Sequence, residues 1–309
     1  MRITELLGRD EPTFSFEFFP PKTPEGEENF KHALKELAPL GPSFVSVTYG
    51  AGGTTREKTV EIVRHIKEAH GLEAMAHFTC VGATTDELHG TLAEIREAGI
   101  DNVLALRGDP PRGQTEWIAS EGGLEYSHQL VSLLRADYDF AIAAACFPET
   151  HIHATSPEDD LRYLNEKVDA GVDFLITQLF FDNQLFYDFV DRARAIGIEV
   201  PIIPGIMPIT SYSQIKTITG LCGATMPEHV LGELDARKED PEAVAEFGVS
   251  YATMQCADLL AHGAPGIHFC TMNRSPATRA ILSALRLWRP WDADHTGLGA
   301  PRRPSAVAS

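Results

Sequence analysis

A glutamate between two phenylalanines is the first residue of this chain that suggests chemistry. Glu17 lies between Phe16 and Phe18 in an apolar run that stops at Pro20 and Pro21, where the missing N–H groups cannot continue a β-ladder. Removal from water raises the pKa of a carboxyl group, and a raised pKa suits a general acid near neutral pH. The pattern is equally compatible with a glutamate at a strand edge that reaches solvent.

Other polar side chains stand at the ends of short apolar runs. Arg107, Gly108 and Asp109 close one run, and a glycine between a cation and an anion would let a flat ligand approach the backbone. Taken alone, this triplet is just as typical of a solvated turn. Gln178 lies within another apolar run, where a buried amide needs partners from the protein or from a ligand. The further candidates of this kind are Thr48, Tyr49, His77, Thr79 and Arg274.

Two pairs of residues complete the candidates. His151 and His153 suggest a metal, but barrel hydrolases that bind metal through such pairs usually need ligands from the first strand, where this chain offers only Glu17. We therefore expect no metal. Asp160 and Lys167 lie seven residues apart and share one face of a predicted helix. That face could hold a ribose hydroxyl and a phosphate, although solvated charges are the commoner explanation.

The elements that would position these residues are eight short apolar runs that alternate with helical patterns. The runs start at residues 14, 44, 74, 102, 141, 174, 201 and 266. This spacing predicts strand–helix units with parallel strands, and eight is the strand number of an α/β barrel of the TIM type, (β/α)8. The wide last gap predicts an elaborated crossover with two helices, around 212–219 and 241–262.

A doubly wound open sheet is the competing fold, since it also alternates strands and helices. No GxGxxG motif follows any of the runs, and residues 50–55 lack the lysine and spacing of a P-loop. We therefore favour a single barrel over residues 1–290, whose active site would lie at the carboxyl ends of the strands. Residues 291–309 are small, polar and broken by proline, and we expect a disordered tail there.

The charge of the chain excludes several classes of partner. Lys plus Arg total 26 and Asp plus Glu total 44, which gives a formal net charge of −18 and opposes binding to nucleic acids or anionic membranes. No apolar stretch has the pattern of a signal peptide or the length of a membrane span, so we expect a cytoplasmic protein. The five cysteines are scattered and form no CxxC pair, which suits reduced thiols.

Seven short segments together resemble the bacterial methylenetetrahydrofolate reductases, in the right order from about residue 12 to residue 290. They are FSFEFFPPKT at 14–23, SVTYG at 46–50, LRGD at 106–109, DAG at 169–171, TQLFFD at 177–182, IPGIMP at 203–208 and NR at 273–274. The resemblance implies a barrel that binds FAD without a dinucleotide fingerprint, uses NADH or NADPH as electron donor and assembles into homo-oligomers. The length implies no regulatory domain after the barrel, and so no inhibition by S-adenosylmethionine through one.

The resemblance also implies roles for particular residues. Glu17 matches the general acid of the family, and Asp109 the acidic residue beside the flavin and the pterin of the folate. Gln178, Gln214 and Arg274 match positions that contact folate or nicotinamide. The positions that match FAD contacts are Thr48, His77, Arg107, Gly108, Asp109, Tyr126, Phe147, His151, Asp160 and Lys167.

Three departures from the family bear on adenine packing and on nicotinamide preference. Phe147 stands where the family often has tyrosine, which removes one hydroxyl from the flavin site. Ile218 stands where some members have a stacking phenylalanine. The segment 127–129 reads Ser-His-Gln after Tyr126, where Ala-Ser-Asp is more usual.

The implied reaction is a ping-pong reduction of 5,10-methylenetetrahydrofolate to 5-methyltetrahydrofolate. NAD(P)H reduces FAD and leaves, and the folate then takes the hydride at its methylene carbon. Glu17 would protonate the nitrogen that departs as the five-membered ring opens to an iminium, and Asp109 would favour that cation. Three alternatives remain: another flavin barrel such as a proline dehydrogenase-like enzyme, a non-catalytic flavin- or folate-binding barrel, and a metal hydrolase built on His151 and His153.

Overall fold

The parallel strands of the chain close into a barrel. The computed structural model describes residues 1–49, 56–108 and 120–292. Its strands are β1 (Thr13–Phe18), β2 (Phe44–Val47), β3 (Ala74–Thr79), β4 (Asn102–Leu106), β5 (Ala141–Cys146), β6 (Phe174–Thr177), β7 (Ile202–Ile203), β8 (Gly205–Ile206) and β9 (Gly266–Cys270). Neighbours in the chain pair from β1 to β7, and β1 also pairs with β9, which pairs with β8. The α/β barrel predicted from the spacing is confirmed.

The short strands β7 and β8 are two halves of the seventh barrel strand. Pro204 separates them, and it has no N–H group to donate. In β7, Ile203 is in register with β6, whereas in β8 Gly205 is in register with His268 of β9. The Pro204 carbonyl accepts a hydrogen bond of 3.0 Å from the His268 N–H. The strand therefore changes partner at the proline, and the circle of eight strands closes there.

Helices cover the outside of the barrel. They are α1 (Pro24–Leu37), α2 (Arg56–His70), α3 (Thr85–Glu97), α4 (Ser127–Asp137), α5 (Pro157–Asp169), α6 (Asn183–Ala195), α7 (Tyr212–Cys222), α8 (Glu228–Arg237), α9 (Pro241–Ala261) and α10 (Pro276–Trp288). The crossover before β9 holds three helices, α7 to α9, where the sequence pattern predicts two. The missed helix, α8, buries only Val230 and Leu234 as large apolar residues, which leaves a weak periodic signal. Over the part of the chain that is described, no helix is long and apolar enough to span a bilayer.

Alternation along the strands separates an outer core from an inner one. Phe14, Phe16 and Phe18 of β1 are buried in the large cluster under the helices, so Ser15 and Glu17 point into the barrel. The inner cluster joins residues of several strands and is completed by Ile3 from a short N-terminal 3₁₀ turn. The Ile3 N–H donates to Asn102 Oδ1 at 2.7 Å, which places this turn at the amino ends of the strands.

Trp291 packs against Phe14 with ring centroids 5.8 Å apart, so the folded part of the chain includes this residue. Residues 293–309 lie outside the described residues. The disorder expected of the tail stays a prediction.

A glycine in the seventh strand gives a test of barrel closure. A Cβ on Gly205 would lie 2.3 Å from the Thr177 carbonyl oxygen of β6, whereas a Cβ on Gly232, inside α8, would meet nothing within 4 Å. We expect Gly205→Ala to lower the free energy of unfolding by about 1–3 kcal/mol, because backbone would have to shift. Gly232→Ala should raise it by up to about 1 kcal/mol, as is usual inside a helix. Urea unfolding measures both; equal effects would contradict the tight contact between β6 and β8.

Candidate active site

Glu17 lies inside the barrel near the carboxyl ends of the strands, in contact with side chains from β3 and β9. Its Oε2 atom is 3.5 Å from His77 Nε2 and 3.6 Å from His268 Nε2. Its Oε1 atom is 3.6 Å from Cys270 Sγ. The Glu17 side chain is only 17% exposed, so the alternative of an edge glutamate in solvent is wrong.

Contacts with two serines and a phenylalanine of the barrel hold the His268 ring in place. Its Nδ1 atom is 2.7 Å from Ser15 Oγ, and its Nε2 atom is 3.4 Å from Ser46 Oγ. The ring also stacks on Phe44 at 5.9 Å with an interplanar angle of 18°. These contacts fix the imidazole against the Glu17 carboxyl. His268 alternates with Ile267 and Phe269 in the last apolar run, and this period-two pattern was the signal that could have identified it.

The histidines change the acidity of Glu17. Burial raises the pKa of the Glu17 carboxyl, but the nearby His268 and His77 imidazoles lower it by more, so that its pKa lies below the ordinary value. Burial therefore acts in the direction expected from the sequence, but the net direction of the pKa is the opposite one, because two imidazoles that the sequence pattern did not place there lie beside the carboxyl. Phe16 and Phe18 face away from it, so its surroundings come from other strands. Burial lowers the pKa of His77 to about 4, so this ring is neutral at neutral pH.

A cavity of about 400 Å³ lies beyond the ends of β3, β4 and β5. We call it the β4 cavity, because Leu106, Arg107 and Gly108 at the end of β4 line it. Seven of the residues predicted to hold the cofactor line this one cavity: Arg107, Gly108, Tyr126, Phe147, His151, Asp160 and Lys167. Its size is within the usual range for small-molecule sites.

Asp160 and Lys167 both turn toward the β4 cavity and are half-buried. Asp160 Oδ2 accepts a hydrogen bond of 3.1 Å from the His151 N–H, and Lys167 Nζ donates to the Ala145 carbonyl at 2.7 Å. Burial raises the pKa of Asp160 and lowers the pKa of Lys167. The pair is thus part of the cavity wall rather than a solvated helix face.

Two features of the β4 cavity are those of a surface that receives a ligand. The Thr79 hydroxyl is buried, with the residue 4% exposed, and has no hydrogen-bond partner among the described residues. Gly108 has a φ of +93°, and a Cβ on it would lie 2.4 Å from Val81 Cγ1. A side chain at position 108 would therefore collide with the cavity wall.

Aromatic rings form another part of this wall. Phe147 meets His151 edge to face, with ring centroids 4.6 Å apart at 88°. Tyr126 and His128 stack at 5.7 Å with an interplanar angle of 10°. His128 and Tyr163 also line the cavity but were not predicted to contact the cofactor. Tyr49 and Thr79, which were candidates because they follow or end apolar runs, line it too.

A second cavity, of about 720 Å³, is lined by Cys270, which contacts Glu17. We call it the β9 cavity, because Cys270 at the end of β9 lines it together with Thr271 and Met272. Gln214 and Arg274, which were predicted to contact substrate, both line it. Glu17 therefore contacts Cys270, which lines the β9 cavity. It also contacts His77 of β3, the strand that carries Thr79 of the β4 cavity.

The remaining predicted residues are placed differently. Gln178 follows β6, and its Oε1 accepts a hydrogen bond of 2.9 Å from the Leu179 N–H. Thr48 follows β2, where its N–H donates to the Phe18 carbonyl at 2.9 Å. Neither lines one of the two cavities. Asp109 lies outside the described residues.

The histidine pair has no metal-binding partners in the described part of the chain. The His151 and His153 rings are 5.4 Å apart, and the His153 N–H donates to His151 Nδ1. Among the residues that the structure describes, no three His, Cys, Asp or Glu side chains form a group suited to a metal ion. The structure thus gives no support to the metal hydrolase alternative.

Fold and site define a (β/α)8-barrel protein with two ligand-sized cavities and a buried carboxylate in contact with Cys270, which lines one of them. Over residues 2–286 the sequence matches the family model described as methylenetetrahydrofolate reductase. The chain belongs to the methylenetetrahydrofolate reductase family, as the motifs indicated. This membership argues against a proline dehydrogenase-like enzyme.

Relatives from plants and bacteria give the extent of the match. Methylenetetrahydrofolate reductase (NADH) 1 of Zea mays is 40% identical over 94% of this chain and 52% of the relative. The 5,10-methylenetetrahydrofolate reductase of Escherichia coli strain K12 is 39% identical over 88% of this chain and 90% of the relative. The chain thus spans about half the length of the plant relatives and most of the length of the bacterial one.

A likeness to a solved structure supports the fold. It is a protein from Clostridium thermocellum described as binding two copies of 5-methyl-5,6,7,8-tetrahydrofolic acid, and it aligns with a TM-score of 0.57. The alignment covers 89% of this chain and 94% of that one at 16% identity. At this identity the likeness shows the fold alone.

The neutral state of His77 predicts a pH dependence of stability. The unfolded chain takes up a proton on His77 near the ordinary pKa of 6.5, whereas the folded protein does so only near about 4. The contribution of His77 to the free energy of unfolding is therefore fully present well above pH 6.5 and is lost as the pH falls toward 4. The full loss is about 3 kcal/mol.

Urea unfolding at pH 7.5 and at pH 5 measures this loss in wild type, in His77→Gln and in a control, His32→Gln, which changes an exposed histidine. Between pH 7.5 and pH 5, we expect the free energy of unfolding of His77→Gln to fall by about 2 kcal/mol less than that of wild type. The control should behave as wild type does. An identical pH dependence in wild type and His77→Gln would contradict a neutral, buried His77.

Proposed function

We propose that this protein reduces 5,10-methylenetetrahydrofolate to 5-methyltetrahydrofolate, with FAD as cofactor and NADH as electron donor. The observation that carries this proposal is the place of the Glu17 carboxyl. It lies 3.6 Å from Cys270 of the β9 cavity and 3.5 Å from His77, whose strand leads to Thr79 of the β4 cavity. A carboxyl group beside the β9 cavity, in contact with the strand that carries Thr79 of the β4 cavity, can exchange a proton with a substrate that extends from the β9 cavity toward that strand.

The polar groups and the backbone geometry of the β4 cavity support FAD as its ligand. The unpartnered Thr79 hydroxyl and the positive φ of Gly108 suit a flat ring against the ends of β3 and β4. Lys167 and Asp160 would hold the phosphate and ribose parts, and the Tyr126 ring would pack against adenine. When bound there, FAD supplies a carrier for the hydride that passes from the nicotinamide to the folate.

Glu17 is the group that moves a proton in this proposal. Its role requires a protonated carboxyl, whereas the two histidines favour the carboxylate. A pterin placed over the carboxyl would exclude more water, and burial already raises the pKa of Glu17. The carboxyl would then donate its proton to the ring nitrogen that departs as the methylene carbon becomes an electrophilic iminium. His268, fixed by Ser15, would hold the carboxyl in place during this step.

The preference for NADH has support from the names of relatives. The maize and Arabidopsis relatives are both named for NADH. Three expectations stay predictions: the role of Asp109 beside the flavin, the assembly into homo-oligomers and the cytoplasmic location.

Glu17→Gln tests the proposed acid by separating the two half-reactions. General acid catalysis is typically worth about 10²–10⁴-fold, so we expect the oxidation of reduced flavin by methylenetetrahydrofolate to slow by about that factor. The bleaching of the flavin by NADH should change by less than about threefold, because hydride transfer to the flavin needs no such proton. Anaerobic stopped-flow absorbance measures each step by itself.

The matched control is Glu97→Gln, an exposed glutamate of α3, which should leave both half-reactions at the wild-type rate. Equal losses in both half-reactions of Glu17→Gln would contradict the role of Glu17 as an acid toward folate. If NADH does not bleach the flavin of the wild-type protein, that result would instead support the non-catalytic alternative.

Gly108→Ala tests whether the β4 cavity holds FAD. The added methyl group would lie 2.4 Å from Val81 Cγ1 at a backbone φ of +93°, so the cavity wall has to change shape at this point. We expect the apoprotein to bind FAD at least about tenfold more weakly, as flavin fluorescence quenching would show. Gly90→Ala, at an open position of α3, is the control. Unchanged FAD affinity in a folded Gly108→Ala protein would contradict this placement.

A further inference from the structure

The β9 cavity has room for the part of a substrate that lies away from the reacting ring. Cys270 lines it and contacts Glu17, so the cavity begins beside the proposed acid. Its other walls are the segment after β8, the first turns of α7 and α10, and one face of α9. A substrate whose ring reacts at Glu17 would extend its remaining groups between these helices.

Charges are unevenly placed on the wall of this cavity. Among the described residues that line it, Arg274 is the only Lys or Arg, and Glu242 and Glu246 are the only acids. The two glutamates are four residues apart on α9, and Ala245 and Val249 of the same helix face line the cavity with them. One face of α9 therefore presents two carboxylates and no compensating cation.

Another part of the cavity wall has the other electrostatic sign. Arg274 is exposed: its backbone N–H donates to the Thr271 carbonyl at 2.9 Å, whereas its guanidinium makes no hydrogen bond or ion pair with another described residue. Ser211 caps α7 and lines the cavity, as do Pro276 and Ala277 in the first turn of α10. The starts of both helices carry partial positive charge. This side suits one anionic group, whereas the α9 side repels any further one.

We propose that Glu242 and Glu246 make this protein selective for folates with a short glutamate tail. The inference rests on the proposed function, in which the pterin reacts at Glu17 and the p-aminobenzoyl-glutamate tail enters the β9 cavity. The first glutamate places its carboxylates near Arg274. Each further γ-linked glutamate adds one carboxylate, which has to pass a wall that holds two acids and lacks a second cation.

The size of the effect follows from Coulomb's law. In water, two like charges about 8 Å apart weaken binding about twofold, and more where the protein excludes solvent. A triglutamate has two more carboxylates than a monoglutamate and faces two acids. We expect its kcat/KM to be about three- to tenfold lower at low ionic strength, and the difference to fade at high salt because the charges are screened.

The experiment compares methylenetetrahydrofolate monoglutamate and triglutamate as substrates of the FAD-loaded protein with NADH. The kcat/KM ratio of the two is measured at about 0.02 M and at about 0.5 M salt. The test protein is Glu242→Gln/Glu246→Gln. The control is Glu228→Gln/Glu239→Gln, which changes the net charge equally at two exposed acids outside the cavity.

The proposal expects a threefold or greater preference of wild type and control for the monoglutamate at low salt. The Glu242→Gln/Glu246→Gln protein should show a ratio near one at both salt concentrations. An unchanged ratio in that protein, or no tail-length preference in wild type, would overturn the inference while monoglutamate turnover still supported the proposed function. Absence of turnover with the monoglutamate itself would refute the proposed function.

Discussion

The pairing of β1 with β9 brings residues from the two ends of the chain to one point inside the barrel. Glu17 and Cys270 are direct partners in this parallel pair, and Ser15 is the partner of His268. Without this closure, Glu17 would have neither His268 as a neighbour nor its contact with Cys270 in the wall of the β9 cavity. The split of the seventh strand at Pro204 serves the same closure, because it lets β8 pair with β9 beside these residues.

The site combines two opposing influences on a single carboxyl group. Burial favours its neutral form, and the imidazoles of His77 and His268 favour its charged form. A group balanced in this way responds to whatever covers it, because a ligand adds to burial and leaves the imidazoles in place. In the proposed mechanism, a substrate that covers the carboxyl therefore raises its pKa and favours the protonated form that acts as the acid.

The sequence predicted the barrel because eight β-rich runs recur with the spacing of strand–helix units. It also identified residues that line one cavity although they come from four separate loops or helices, such as Gly108, Tyr126, His151 and Lys167. Their roles toward a cofactor came from family resemblance and stay predictions. Helix α8 was missed because few of its residues are buried.

The error about Glu17 has a clear physical origin. Its neighbours in sequence, Phe16 and Phe18, point to the opposite face of the strand, whereas its neighbours in space come from β3 and β9. Sequence reasoning that judged the polarity of the site from adjacent residues used the wrong face. The same alternation, applied to the last strand, would have placed His268 inside the barrel next to Glu17.

The most direct measurement of the central claim is a crystal structure of the protein with FAD and 5-methyltetrahydrofolate. The account predicts the flavin ring in the β4 cavity beside Thr79 and Gly108, and the pterin stacked on it. It predicts a folate nitrogen within about 3.2 Å of the Glu17 carboxyl, with the tail directed toward Arg274. A flavin ring outside the β4 cavity, or a pterin that makes no contact with Glu17, would contradict the account.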